Sequence, residues 1–281
     1  MLDMGYPIER LTDAYLPACV ALTEAQGWAP TEPKWRLFFR FADVFGVLDG
    51  DDLVGSVVVS RFGPDLAALG MMLVAPTQHG AGIGGALLRH ALAEVGDATV
   101  ILDATDRGRP VYARYGFVEA GRRYSHIGPL RPPAAPPVSR PAVPADLPAV
   151  IALDAAVTGA DRSGMLGPLA DFAVALRVIE RAGAITGYAA AWPADEAMMI
   201  GPLIADTEAD ARGLITDLTA AVETDQRWRL ELSHRHPQLR DWVTSHGADT
   251  PYDLTTMVRP GPATPPGERP RWYLPFSLST G

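Results

Sequence analysis

The chain carries the same run of features twice. Leu53 to Arg61 reads as a strand, Gly63-Pro64-Asp65 as a turn, and Ala67 to Val74 as a second strand. Ala184 to Trp192, Pro193-Ala194-Asp195 and Ala197 to Ala205 repeat that hairpin. Val74 corresponds to Ile204, 130 residues on, and Gly116 to Gly247, 131 residues on. Between these anchors each copy holds a helix, ending near Val95 and Val222, and then a strand, Ala98 to Ala104 and Arg227 to Ser233. Val111 to Phe117 then matches Trp242 to Ala248. Register kept over so many elements points to a tandem duplication, so the 281 residues are expected to hold one α/β (α+β) unit twice.

Residues 130–144 divide the copies, because proline at that density excludes helix and interior strand and favours a stiff, extended connection. A second proline run, Pro260 to Pro270, precedes Trp272, Tyr273 and Phe276, which are expected to pack back on the body. The expected organisation is a binding unit over 1–129, a linker over 130–144, a second unit over 145–259 and a tail over 260–281. A formal charge of −9 argues against nucleic acid as a partner, since phosphate backbones call for clustered positive charge. No apolar run approaches the ~20 residues of a membrane span, so no membrane partner is expected. Met1 to Arg10 lacks the form of a signal peptide, and a cytoplasmic location is expected. Cys19, the one cysteine, lies in an apolar helical stretch and reads as a small buried hydrophobe, with no disulfide and no cysteine metal cluster to follow. His234-Arg235-His236 has no carboxylate support and reads as an exposed turn, so no metal is expected.

Chemistry concentrates behind Val74. Glycines at 80, 82, 84 and 85 let backbone N–H groups crowd together, and the amphipathic pattern of Ala86, Leu87, Leu88, Ala91 and Leu92 sets a helix N-terminus directly behind them. Such a turn holds a phosphate. Gly80-Ala81-Gly82-Ile83-Gly84-Gly85 satisfies Gly-x-Gly-x-x-Gly, with Asp103 near the place of a ribose carboxylate, which would suggest NAD or FAD. Three features oppose that: five residues separate the strand from the first glycine, an antiparallel hairpin precedes it, and one strand–helix–strand follows before the prolines. The second copy has Ala209-Asp210-Ala211-Arg212-Gly213-Leu214-Ile215 instead. Asp210 would repel an anion there, so the second copy is expected to pack against the first and wall off its cavity rather than bind a cofactor.

Val74, Pro76 and Gly80-Ala81-Gly82-Ile83-Gly84, followed by Ala86-Leu87-Leu88, resemble the acyl-CoA-binding motif of the GNAT N-acetyltransferase superfamily, and Tyr112-Ala113-Arg114-Tyr115-Gly116-Phe117 resembles its Tyr-x-x-x-Gly-Phe segment. Gly27-Trp28, Gly70 to Val74, Leu102 to Thr105 and Gly108 to Tyr112 are similar to a tandem subgroup called YitH-like, in which a degenerate GNAT-like unit follows the first. The resemblance implies two tandem GNAT folds, each with a mixed, mostly antiparallel sheet flanked by helices. It implies acetyl-CoA as co-substrate and a small-molecule amine as acceptor, in a monomer or homodimer. The cofactor contacts would come from Met72, Leu73, Val74, His79, Gly80, Ala81, Gly82, Ile83, Gly84, Gly85, Thr105, Arg109 and Tyr112. Arg89 and Arg107 are further candidates for the CoA ribose phosphate. Tyr112 takes the place of the general-acid tyrosine, and Tyr115 that of a packing residue. Asp103 and Glu24 are candidate bases, and Trp28, Trp35, Tyr124 and His126 candidate walls of the acceptor pocket. His79 stands where the superfamily usually has Arg or Gln, and Thr105 where many members have Asn. A non-catalytic acyl-CoA-binding module stays open as the alternative.

Overall fold

The computed structural model describes residues 6–28, 32–194, 196–262 and 267–280; Asp195 of the second turn and part of the Pro260–Pro270 run lie outside them. The first half runs β1 (Ile8–Leu11), α1 (Leu16–Glu24), α2 (Glu32–Phe41), β2 (Asp43–Asp49), β3 (Asp52–Arg61), β4 (Leu66–Val74), α3 (Ile83–Val95), β5 (Thr99–Ala104), α4 (Arg109–Ala113) and β6 (Val118–Gly128). The second runs β7 (Arg140–Pro141), α5 (Leu147–Thr158), α6 (Ser163–Phe172), β8 (Ala175–Arg181), β9 (Ala184–Ala194), β10 (Ala197–Ile204), α7 (Glu208–Ala221), β11 (Arg227–Ser233), α8 (Pro237–Ser245), β12 (Asp249–Arg259) and β13 (Trp272–Leu274). The hairpins, helices and strands expected from the repeat are all present. Val57, Val58 and Val59 of β3 are all fully buried, because helices cover both faces of the sheet and alternation gives way to a continuous apolar run.

The two halves share one sheet, in the order β1-β2-β3-β4-β5-β12-β6-β11-β10-β9-β8-β7, with β13 against β10. Among the described residues only β4–β5 and β10–β11 pair in parallel. The halves exchange their last strands: β12 lies beside β5, and β6 lies beside β11. A division of the chain at the prolines is therefore not a division in space, since β6 pairs with no strand of β1–β5. The linker itself is pinned to α7, where Asp217 accepts from the amides of Val138 at 3.0 Å and Ser139 at 2.8 Å.

One core belongs to both halves. Cys19, Trp35 and Phe38 from α1 and α2 join Val150, Met165, Trp192 and Phe276 from the second half on one face of the sheet. On the other face α3 packs over Val57, Leu69 and Val100, while α7 and α8 pack over Ile200, Leu230 and Leu232. Among the described residues no helix is long and apolar enough to cross a membrane.

Candidate active site

The site begins with a strand that leaves its neighbour. β4 and β5 pair only where Leu66, Ala67 and Ala68 face Thr99, Val100 and Ile101. Further along, Met71 and Met72 stand opposite the single residue Val57 of β3, since Gly70 pairs with Val58 and Leu73 with Ser56. That is a β-bulge, which bends its strand. Met71 takes φ +47°, a left-handed conformation uncommon outside glycine. Its carbonyl is held there by the Ser56 hydroxyl at 3.0 Å. From Gly70 to Val74, the edge of β4 that faces β5 pairs with no strand among the described residues.

Eight residues separate Val74 from the start of α3. Gly80 and Gly82 have φ of +87° and +89°, and a Cβ on either would meet nothing within 4 Å. Gly82 caps α3 without a side-chain hydrogen bond, and the first intrahelical bond runs from Ala86 N to Gly82 O at 3.0 Å. The amides of Ile83, Gly84 and Gly85 thus have no partner among the described residues, and they stand at the positive end of a thirteen-residue helix. This donor set fits a pyrophosphate. His79 turns the other way: its Nε2 donates to the Val74 carbonyl at 2.9 Å. Gln26 donates to the same oxygen at 2.9 Å, tying the end of α1 to the end of β4. No pattern in the sequence marks Gln26.

Tyr112 lies on α4 with its ring edge-on to Phe117 at 5.8 Å, and its hydroxyl has no hydrogen-bond partner among the described residues. Burial pushes its pKa up to about 12. A Cβ at Gly108 would come within 2.9 Å of the Tyr112 ring, so the glycine makes room for the tyrosine. Thr105 shapes this turn, its Oγ1 accepting from the Gly108 amide at 3.2 Å. Arg109 pairs with Glu119 at 3.0 Å, and Tyr115 is fixed by Arg89 at 3.2 Å.

Several expected site residues are placed elsewhere. Asp103 is not free to act as a base. Its side chain is fully buried at the strand exchange, accepting from Thr256 Oγ1 at 2.6 Å and ion-paired with Arg123 Nε at 2.9 Å. Burial raises its pKa against the pull of Arg123 and Thr256. Glu231 occupies the matching place in the second half, with Ser125 at 3.3 Å and Arg229 at 2.6 Å. Tyr124 and His126 are not brought to the cleft either, because β6 carries them beside β11. There Arg240 lies over the Tyr124 ring at 3.3 Å, and burial lowers the pKa of His126. Trp35 is a core residue, its indole donating to Thr23 Oγ1 at 3.0 Å. Glu24 and Trp28 are exposed beside the Gln26 tie, Trp28 by 46%. His236 is buried rather than in an exposed turn, with its ring 4.3 Å from that of Tyr273.

The second half builds the same cleft and fills it. β10 and β11 pair from Ala197 to Ile200 and then part, and β13 lies against β10 at Leu203 and Ile204. Three residues lead from β10 to α7, whose first turn is capped by Thr207 Oγ1 accepting from the Asp210 amide at 3.2 Å. Asp210 itself sits in that first turn, ion-paired with Arg181 at 2.5 Å, which holds its carboxyl below the usual range.

The chain is similar to known proteins in sequence family and in fold. A family model described as an acetyltransferase (GNAT) domain matches residues 150–273, and a second with the same description matches residues 40–119. No curated protein matches the chain in sequence. A provisionally assigned acetyltransferase from Pyrococcus horikoshii is 17% identical, covers 100% of this chain and 98% of its own, and superposes with a TM-score of 0.85. A GCN5-related N-acetyltransferase from Sphaerobacter thermophilus is 15% identical over 94% of this chain and 99% of its own, with a TM-score of 0.65. A tandem GNAT protein from the clavulanic acid biosynthesis pathway is 17% identical over 92% and 99%, with a TM-score of 0.64. With both halves matched and the whole fold shared, the chain is a tandem member of the GNAT acetyltransferase superfamily.

Proposed function

We propose that the first half transfers an acyl group, most simply acetyl, from acyl-CoA to a small-molecule amine in a ternary complex. The observation that carries this reading is the unpaired edge of β4 running into three unpartnered amides at the start of α3. The amides of residues 82–85 hold the pyrophosphate, and the edge from Gly70 to Val74 offers backbone groups to the pantetheine arm. An amide near Leu73 or Val74, beyond the bulge, polarises the thioester carbonyl. The amine arrives unprotonated and attacks the carbonyl carbon. As the carbon–sulfur bond breaks, the sulfur takes the proton of Tyr112, the surplus proton on nitrogen passes to solvent past the exposed rim at Glu24, and Tyr112 takes a proton back from solvent before the next turnover. A hydroxyl raised to about 12 keeps its proton at neutral pH. Its transfer is favoured because the thiolate develops in the same desolvated place, which raises the affinity of sulfur for a proton as well.

Calorimetric titration with acetyl-CoA, followed by CoA release over a panel of amines, tests the reading. Tyr112→Phe should lower kcat by about 10²-fold or more while Kd for acetyl-CoA stays within about twofold. Absence of acetyl-CoA binding would sink the proposal. Binding without turnover would favour the second reading, a non-catalytic acyl-CoA-binding module, for which the commitment of Asp103 to Arg123 and Thr256 speaks.

A further inference from the structure

Gly70 of β4 and Gly201 of β10 stand 131 residues apart, at corresponding points of the two bulged strands. The same stretch of chain presses on both. A Cβ on Gly201 would overlap the carbonyl oxygen of Pro275, and a Cβ on Gly70 would overlap that of Ser279 and come within 2.6 Å of the Ser279 Cβ. The segment after β13 thus crosses from the filled cleft of the second half to the bulge of the first. Phe276 anchors it, fully buried, stacked on Trp192 at 4.4 Å and edge-on to Phe41 of α2 at 6.5 Å. Ser277 to Thr280 then close a turn on themselves. Thr280 donates to the Ser277 carbonyl through its amide and its hydroxyl, each at 3.2 Å, and the Ser279 amide donates to Ser277 Oγ at 3.2 Å. Toward β4 the turn offers Ser279 Oγ, 3.4 Å from the Met71 sulfur.

Leu69 packs under α3, so Gly70 looks to the opposite face, where α1 and α2 lie. We propose that the turn Ser277–Thr280 is the acceptor-side wall of the first half's cleft and restricts the acceptor to unhindered primary amines. This rests on the acyl-transfer reading. If the thioester lies along the β4 edge at the bulge, its carbonyl carbon must be attacked from one face of its plane. On the α1–α2 side that approach runs past Ser279. Backbone packed directly on Gly70 leaves no room there for a branched substituent, while the Ser279 carbonyl can accept from the amine N–H.

The test uses the full chain with Ser277→Gly and Thr280→Gly together, which removes the hydroxyls that brace the turn and leaves the Phe276 anchor. Hydrogen exchange of the peptide holding residues 277–280 should be slow in the wild type and faster in the variant. Acetyl-CoA should bind both equally by calorimetry. The variant should hydrolyse acetyl-CoA faster, and its preference for ethylamine over tert-butylamine should fall about tenfold or more. A wild-type turn that exchanges at the unprotected rate overturns the proposal. So does a loosened turn that changes neither hydrolysis nor the amine preference. Failure of the wild type to bind acetyl-CoA overturns the acyl-transfer reading first, and the wall with it.

Discussion

In the first half β4 parts from β5 after Ala68, and eight residues lead on to α3; in the second β10 parts from β11 after Ile200, and three lead on to α7. Both openings follow from the same strand order and the same break in register between the hairpin strands. What differs is where the exposed backbone groups find partners. In the second half β13 supplies strand pairing to β10, Thr207 caps the helix, and Asp210 places a carboxylate at its positive end. In the first half no strand pairs with that edge of β4 among the described residues, the Val74 carbonyl is held by His79 and Gln26, and the first amides of α3 have no partner. The position matching Tyr112 in the second half is Val243, fully buried and without a hydroxyl. A duplicated fold therefore keeps its architecture in both copies, while the two openings differ in a few loop residues and in where the tail of the chain lies.

The largest effect is expected at the seam between the halves. Asp103→Ala would leave the largely buried Arg123 without its counter-charge, next to a Thr256 hydroxyl that loses its acceptor. A loss of about 3–5 kcal/mol is expected, read from the urea midpoint at constant m-value. Both clefts should be lost in one transition, because β5 and β11 are held by strands exchanged between the halves. Separate transitions for the halves would contradict the single shared sheet.

The next test addresses the loops. Gly82→Glu puts a carboxylate among the unpartnered amides of α3 and forces a side chain on a residue at φ +89°. Acetyl-CoA affinity should fall about 100-fold, near 3 kcal/mol, with only about 1 kcal/mol of stability lost to the left-handed backbone. The converse change, Asp210→Gly, should create no second site, since β13 still covers β10. Calorimetry should give one acetyl-CoA per chain for Asp210→Gly, and a stoichiometry of two would show that the carboxylate alone closes the second cleft. A smaller effect belongs to Thr207→Ala, which removes the cap of α7 and should lower stability by about 1 kcal/mol without altering acetyl-CoA affinity.

Much of this contrast was legible in the residues. The hairpins, the helix behind each and the glycine turn are short-range patterns, and the loss of glycines in the second copy is visible by eye. The exchange of β6 and β12 was not, because sheet order is decided by long-range pairing that leaves no local signature. That one event explains the misplaced residues together. Tyr124 and His126 lie on an exchanged strand, and Asp103 is buried against another, though nothing in Leu102-Asp103-Ala104 predicts an arginine from β6 beside it. Trp35 reads equally well as pocket or core, and its indole bond to Thr23 settles it as core. The tail was expected to pack back, but its route from Gly201 to Gly70 depends on close backbone contacts that only three-dimensional proximity reveals.

A pH dependence separates the two halves by the hydroxyl that only one of them has. Tyr112 ionises near 12 in the folded chain, against the 10 of an unhindered tyrosine. Folding therefore favours its protonated form. The stability this contributes is complete below pH 10 and is lost as pH rises from 10 toward 12, while the unfolded chain releases the proton that the native chain keeps. Val243 contributes nothing of the kind. In Tyr112→Phe the fall in stability over pH 10–12 should accordingly be shallower than in the wild type, when the two are compared by urea denaturation at each pH. If Tyr112 is also the proton donor, kcat with an amine acceptor should show no alkaline loss below about pH 11, since the group stays protonated. An alkaline limb in kcat near pH 10 would mean that the donor is a group with an unshifted pKa, and would remove Tyr112 from that role even if its substitution slows turnover.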